Sequence, residues 1–158
     1  IYTGEDTLSL HDALPILLEK AAERGVKRVL LFGHIGKLCK VAAGVFYTHN
    51  RIADARLETI AAYAAAAGLS TAGTRRVLAS NATEEALTVL REAGLEQAVC
   101  MSIAERAGLR AERYLFGKMK VGVVMVTLQG RLLGMNEVAR EIGEAYHWRL
   151  PEQEREHE

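Results

Sequence analysis

The chain has 158 residues, 49% of them hydrophobic, and 20 Lys and Arg against 20 Asp and Glu, a formal net charge of +0. That length suits one domain with one core, and the neutral balance argues against a dedicated nucleic-acid binder, which would be basic. No apolar run approaches a bilayer span, and no basic-then-apolar leader with a small-residue cleavage site is visible, so a cytoplasmic protein without membrane partners is expected.

Residues 1–16, IYTGEDTLSLHDALPI, read as translated sequencing-adapter DNA rather than native protein. Thr7 to Ile16 matches the adapter codons without a mismatch, and Ile1 to Thr3 matches its flank. The segment is therefore set apart from fold and function, as a fusion scar would be. It holds three acids, Glu5, Asp6 and Asp12, and no Lys or Arg, so the remainder carries a net +3. A mild positive excess suits an anionic small molecule. The domain is expected over 17–150, followed by a charged tail over 151–158.

Leu17 to Arg24 places Leu17, Leu18, Ala21 and Ala22 on one helical face, and Gly25 stands where a left-handed C-cap belongs. Val29-Leu30-Leu31-Phe32 is a continuous apolar run that predicts a strand buried on both faces of a parallel sheet. Gly36 to Ala43 opens the next helix, Gly44 to Arg51 connects, and Asp54 to Ala67 predicts an alanine-rich helix. Leu57, Ile60, Ala61 and Ala64 face inward on it, and Gly68 ends it. Ser70 caps a helix to Ala79, and Asn81 or Thr83 caps another over Glu84–Ala93. Leu95 to Arg106 continues helical up to a break at Gly108. Val121 to Leu128 reads as a second strand, Gln129-Gly130 as a turn and Asn136 to Tyr146 as a last helix. Strands separated by helices imply an α/β domain, small and layered, with a few mostly parallel strands flanked by helices. Two strands make a poor sheet, so part of the sheet, or a whole domain, is expected upstream.

The chemistry concentrates between Gly33 and Glu58, in GHIGKLCKVAAGVFYTHNRIADARLE. Gly33, His34, Gly36 and Lys37 follow a strand and precede a helix, where free N–H groups can hold a carboxylate or phosphate. The spacing fits neither a Walker A loop nor a dinucleotide fingerprint, and a plain glycine turn with a surface lysine explains it about as well. His34 and His49 are candidates for general acids or bases. No third ligand follows at metal spacing, so no metal site is expected. Cys39 and Cys100 lie far apart, outside any C-x-x-C pair, and read as reduced buried thiols. Asp54 and Glu58 are four apart on the predicted helix, with Arg51 and Arg56 close by. Arg106, Arg110 and Arg113 read as a solvated basic stripe.

GHIGKLCKVAAG and THNRIADARLE closely resemble the cobalt-precorrin-5B C1-methyltransferase family of anaerobic cobalamin biosynthesis. NATEEALTVLREAG and VGVVMVTLQGRLLG extend the resemblance over about Leu17 to Ile142. The chain departs from the pattern with Asn50 where Ser is usual and Leu57 where Met is frequent. The resemblance implies S-adenosylmethionine-dependent methylation of C1 of cobalt-precorrin-5B to give cobalt-precorrin-6A. It also implies the C-terminal half of a two-domain enzyme, inactive alone, whose partners are a cobalt-containing tetrapyrrole and the missing N-terminal half, with a homo-oligomer left open. In that reading His49 or Asp54 handles the proton. Lys37, Lys40, Arg51 and Arg56 pair with acetate and propionate arms, the arginines in bidentate fashion. Gly33, His34, Gly36, Thr48, Asn50 and Glu58 complete the binding set, and Phe46 and Tyr47 can face the sulfonium. Lys37, His49 and Arg56 are expected to line one hollow. The rival reading is a non-catalytic α/β module that binds an anionic small molecule or a partner subunit through the Gly33 turn.

Overall fold

The structure is a computed structural model and describes residues 13–49 and 53–148. Helix α1 (Ala13–Glu23) leads through Gly25, at φ +80°, into strand β1 (Arg28–His34). The helix begins four residues before the expected Leu17, inside the stretch set apart as adapter, with Pro15 buried in its first turn. Helix α2 (Ile35–Ala42) follows β1 directly, and α3 (Arg56–Ala66), α4 (Thr71–Ala79), α5 (Thr83–Glu92) and α6 (Glu96–Tyr114) come next. Then come β2 (Lys120–Val126), β3 (Leu132–Met135) and α7 (Glu137–Ala145).

The three strands lie in the order β1-β2-β3, with β1 parallel and β3 antiparallel to β2. Strand β3 escaped the sequence pattern because it is four residues long and hides behind a turn. That turn closes with the Thr127 N–H on the Arg131 carbonyl at 2.9 Å, Gly130 supplying φ +85°.

Strand β2 is buried from Val121 to Val126, since helices cover both of its faces. Val121, Val123 and Met125 join the main core with α6; Gly122 turns to α7, where a Cβ would press on Ala139 and Ile142. Helix α6 runs unbroken through Gly108, which the sequence reading took as a stop. Glycine is there for close approach: a Cβ at 108 would collide with the Asn136 amide and the Val121 carbonyl. Gly134 does the same from β3, where a Cβ would stand 2.9 Å from the Cys100 backbone.

Asn136 locks this region. Its Oδ1 accepts from the Val123 N–H at 2.8 Å and from the Ala139 N–H at 3.0 Å, and its Nδ2 donates to the Val121 carbonyl at 2.9 Å. One buried side chain thus extends the ladder where β3 ends and caps α7.

Strand β1 corrects an expectation. It forms the sheet's edge, none of its residues is fully buried, and Phe32 is 65% exposed. The inward face of α3 fares better: Ile60, Ala61 and Ala64 are buried and Leu57 packs against the core. Ser70 caps α4 through the Gly73 N–H at 3.1 Å, as the sequence predicts. The cap of α5 differs: Ala82 holds the position, and the Glu85 carboxylate reaches back to the Asn81 N–H at 2.8 Å. Both cysteines are reduced and buried, and burial pushes each thiol up to about 12.

Candidate functional site

The expected glycine turn does not form. Gly33 lies inside β1 opposite Met125, and α2 starts one residue after the strand ends. His34 is the joint. Its Nδ1 accepts from the Gly36 N–H at 3.1 Å, so the histidine caps the helix that follows it. This leaves Nε2 to carry the ring proton, and it faces Glu84 Oε1 at 3.1 Å. A Cβ on Gly36 would stand 2.9 Å from His34 Nδ1 and 3.6 Å from Thr83 Oγ1, so only glycine lets the ring and α5 close in.

Glu84 is the member of this group that the sequence reading passed over. It sits in the first turn of α5, where the helix dipole favours a carboxylate. The same Oε1 also accepts from the Leu128 N–H at 3.3 Å, just past β2. His34, Glu84 and Leu128 therefore tie α2, α5 and the β2–β3 turn together at the carboxyl ends of the parallel strands. Ligands of open α/β sheets bind at that end. The sequence signal for Glu84 was an acid three residues after Asn81, which serves a cap as readily as a site.

A second cluster lies further along α2. Lys40, six residues past His34 and so about 9 Å along the axis, is 1% exposed. Its Nζ donates to the Thr48 carbonyl at 3.0 Å and the Ala53 carbonyl at 3.1 Å, drawing two points of the loop between α2 and α3 together. Burial pulls this ammonium below its ordinary pKa, while nearby Asp54 works the other way. Lys40 thus faces inward onto the loop backbone. Lys37, one turn earlier, is exposed. Thr48 is buried and His49 half-buried, its carbonyl accepting from the Ala53 N–H at 3.3 Å. Asn50 and Arg51 lie outside the described residues.

Asp54 precedes α3 instead of riding on it, so it does not share a helical face with Glu58, which is exposed in the first turn. It takes the Arg56 guanidinium in two bonds of 2.7 Å, from Nε to Oδ1 and from Nη2 to Oδ2. Those bonds hold the Asp54 carboxyl below its ordinary range. Phe46 stacks on Tyr114 at 4.3 Å between centroids, while Tyr47 is half exposed. Arg110, read from sequence as part of a solvated stripe, is half-buried against the loop. Its Nη1 lies 3.9 Å from where a Gly44 Cβ would be, and its Nε is buried without a hydrogen-bond partner among the described residues.

The structure thus sorts several of the predicted residues into two clusters along α2. His34 and Gly36, with the unpredicted Glu84, stand at its start; Lys40, Thr48, Asp54 and Arg56 gather around its later turns. Two grooves, of about 510 and 570 Å³, lie elsewhere along α6, β3 and α7, and share Met135 and Arg140. Neither includes Lys37, His49 or Arg56, so the hollow expected between those three is not one of them. Among the described residues no group of His, Cys, Asp and Glu gathers to hold a metal ion, and no helix is long and apolar enough to cross a membrane.

Residues 47–137 match the family described as CbiD, C-terminal domain. The cobalt-precorrin-5B C(1)-methyltransferase of Moorella thermoacetica is 49% identical over 126 residues, 80% of this chain and 34% of that protein. The protein of the same name from Desulfitobacterium hafniense is 38% identical over 151 residues, 95% of this chain and 39% of that one. That of Thermoplasma acidophilum is 47% identical over 111 residues, 65% of this chain and 30% of that one. The chain spans between about a third and two fifths of the first two relatives. No solved structure matches it. The chain belongs to the CbiD C-terminal domain family.

Proposed function

We propose, from this family membership, that the chain is the C-terminal domain of a methyltransferase that transfers a methyl group from S-adenosylmethionine to C1 of cobalt-precorrin-5B, giving cobalt-precorrin-6A. The observation that carries the reading is the 49% identity over 126 residues with a protein so named, across the segment that builds both clusters. The rest of the enzyme, in this reading, precedes the domain, and both work in the cytoplasm. No oligomeric state is needed by the chemistry.

The substrate's acetate and propionate arms call for cations. Lys37 is exposed, and Arg56, whose Nε and Nη2 are held by Asp54, keeps Nη1 to offer to an arm. Lys40 serves differently: its buried ammonium holds the backbone at Thr48 and Ala53, in the loop that includes His49. Preorganising that loop matters because alignment of the methyl group with the attacking carbon is most of the barrier.

The methyl donor supplies an electrophilic methyl on sulfur. His34 already occupies the Gly36 N–H that an open turn would have offered to the donor's amino-acid carboxylate. Methylation of a ring carbon releases a proton. Of the two candidates His49 suits that task better, because the Arg56 bonds make Asp54 a weaker base and a positioning residue for Arg56.

The test is methylation of the cobalt tetrapyrrole by the complete enzyme, read as the mass gain of one methylene. Lys37→Ala and His49→Ala should each cut turnover at least about tenfold while leaving the unfolding midpoint in place. A complete, folded enzyme without methyl transfer overturns the reading; unchanged turnover removes the two residues from it.

A further inference from the structure

We propose that the outer edge of β1 receives a fourth strand from the portion of the enzyme that precedes this domain in its full-length relatives. The inference rests on the sheet and on family membership, and does not depend on methyl transfer.

The edge is open and apolar. The Lys120 N–H donates to the Lys27 carbonyl at 2.9 Å, and alternation along the strand then fixes which backbone groups face β2. Val29, Leu31 and Gly33 turn their N–H and C=O groups to β2. Leu30 and Phe32 turn theirs outward, where no strand of the described residues pairs with them. Parallel sheets are ordinarily covered, and an exposed, flat, apolar edge recruits other chains. Between Val29 and Gly33 the strand has no proline, no bulge and no charge to blunt that edge, and Arg28 at its start is its one exposed charge.

The occupant follows from the length of the relatives. The matched 126 residues make up 34% of the Moorella thermoacetica protein, and the family match is to a C-terminal domain. The larger part of such an enzyme lies before this domain. It is delivered through α1 and a short turn straight to the start of β1, so its effective concentration at that edge is high. Leu17 and Val26, on this approach, are exposed apolar residues as well. A strand added there gains main-chain hydrogen bonds and covers Phe32, as in β-augmentation.

The test is hydrogen exchange, read residue by residue on the complete wild-type enzyme. Exchange at Leu30 and Phe32 should be slowed to within about tenfold of Leu31 and Gly33, their neighbours bonded to β2. Exchange at Leu30 and Phe32 as fast as in an unprotected peptide overturns the proposal. So does protection that disappears on dilution, which would make a second copy the occupant. Loss of methyl transfer with protection intact would sink the proposed function and leave the strand in place.

Discussion

Strands β1 and β2 are both seven residues long, both apolar, and paired residue for residue, yet they end in different surroundings. Six residues of β2 are buried; none of β1 is. The difference is what stands over them. Helix α6 packs on one face of β2 and α7 on the other, with Gly108, Gly122 and Gly134 letting backbones come close. Among the described residues strand β1 has β2 on one side only, and Phe32 faces solvent. Hydrophobicity qualifies a segment for burial; the neighbours that arrive later in the chain decide whether burial happens.

The sharpest way to break the protected side is Asn136→Ala. It strips the cap from α7 and leaves the Val121 carbonyl and Val123 N–H buried without partners, a loss of about 4 kcal/mol in urea denaturation. Met125→Ala, a fully buried deletion in β2, should cost about 3 kcal/mol, whereas Phe32→Ala on β1 should cost no more than about 0.5 kcal/mol in this chain. A cost at Phe32 equal to that at Met125 would erase the contrast.

Between these extremes lies Glu96, which pins the β2–β3 turn to α6. It takes Arg131 at 2.8 and 2.9 Å and Arg91 at 3.0 Å. Burial opposes its ionisation, but the two arginines outweigh that and hold the carboxyl below its ordinary 4.5. Between the lowered value and 4.5 the unfolded chain binds more protons than the folded one. The stabilisation is therefore whole above 4.5 and is lost as pH falls through the lowered value. Glu96→Gln should cost about 1.5 kcal/mol at pH 7, and the gap from wild type should close in acid; a gap that persists there would mean packing rather than charge.

Much of the domain was legible before folding because its signals are local. Gly25, Gly68 and Gly130 all take the positive φ their positions suggested, Ser70 caps α4, and the periodicity of α3 named its buried face. Gly33 looks like a turn but continues β1 in register with β2, where a Cβ would meet Leu38 at an ordinary 3.8 Å. Gly108 looks like a helix stop, since a glycine's reason can be conformational or a neighbour's closeness, and only the neighbour tells which. Arg110 looked solvated for the same reason. Asp54 and Glu58 have helical spacing, but Asp54 spends its carboxylate on Arg56 before α3 begins.

The sequence by itself determined the order of β1, β2 and the helices, the ends of α1 at Gly25 and α3 at Gly68, the start of α4 at Ser70, and the crowding of ionisable groups between Gly33 and Glu58, all of which depend on residues near one another in the chain. Tertiary structure decided that Lys40 faces inward, that His34 meets Glu84 fifty residues away, and that Asn136 completes a strand it does not belong to. Those are pairings between distant segments, and a side chain's partner is fixed by what the fold brings within about 3 Å of it, not by its position in the chain.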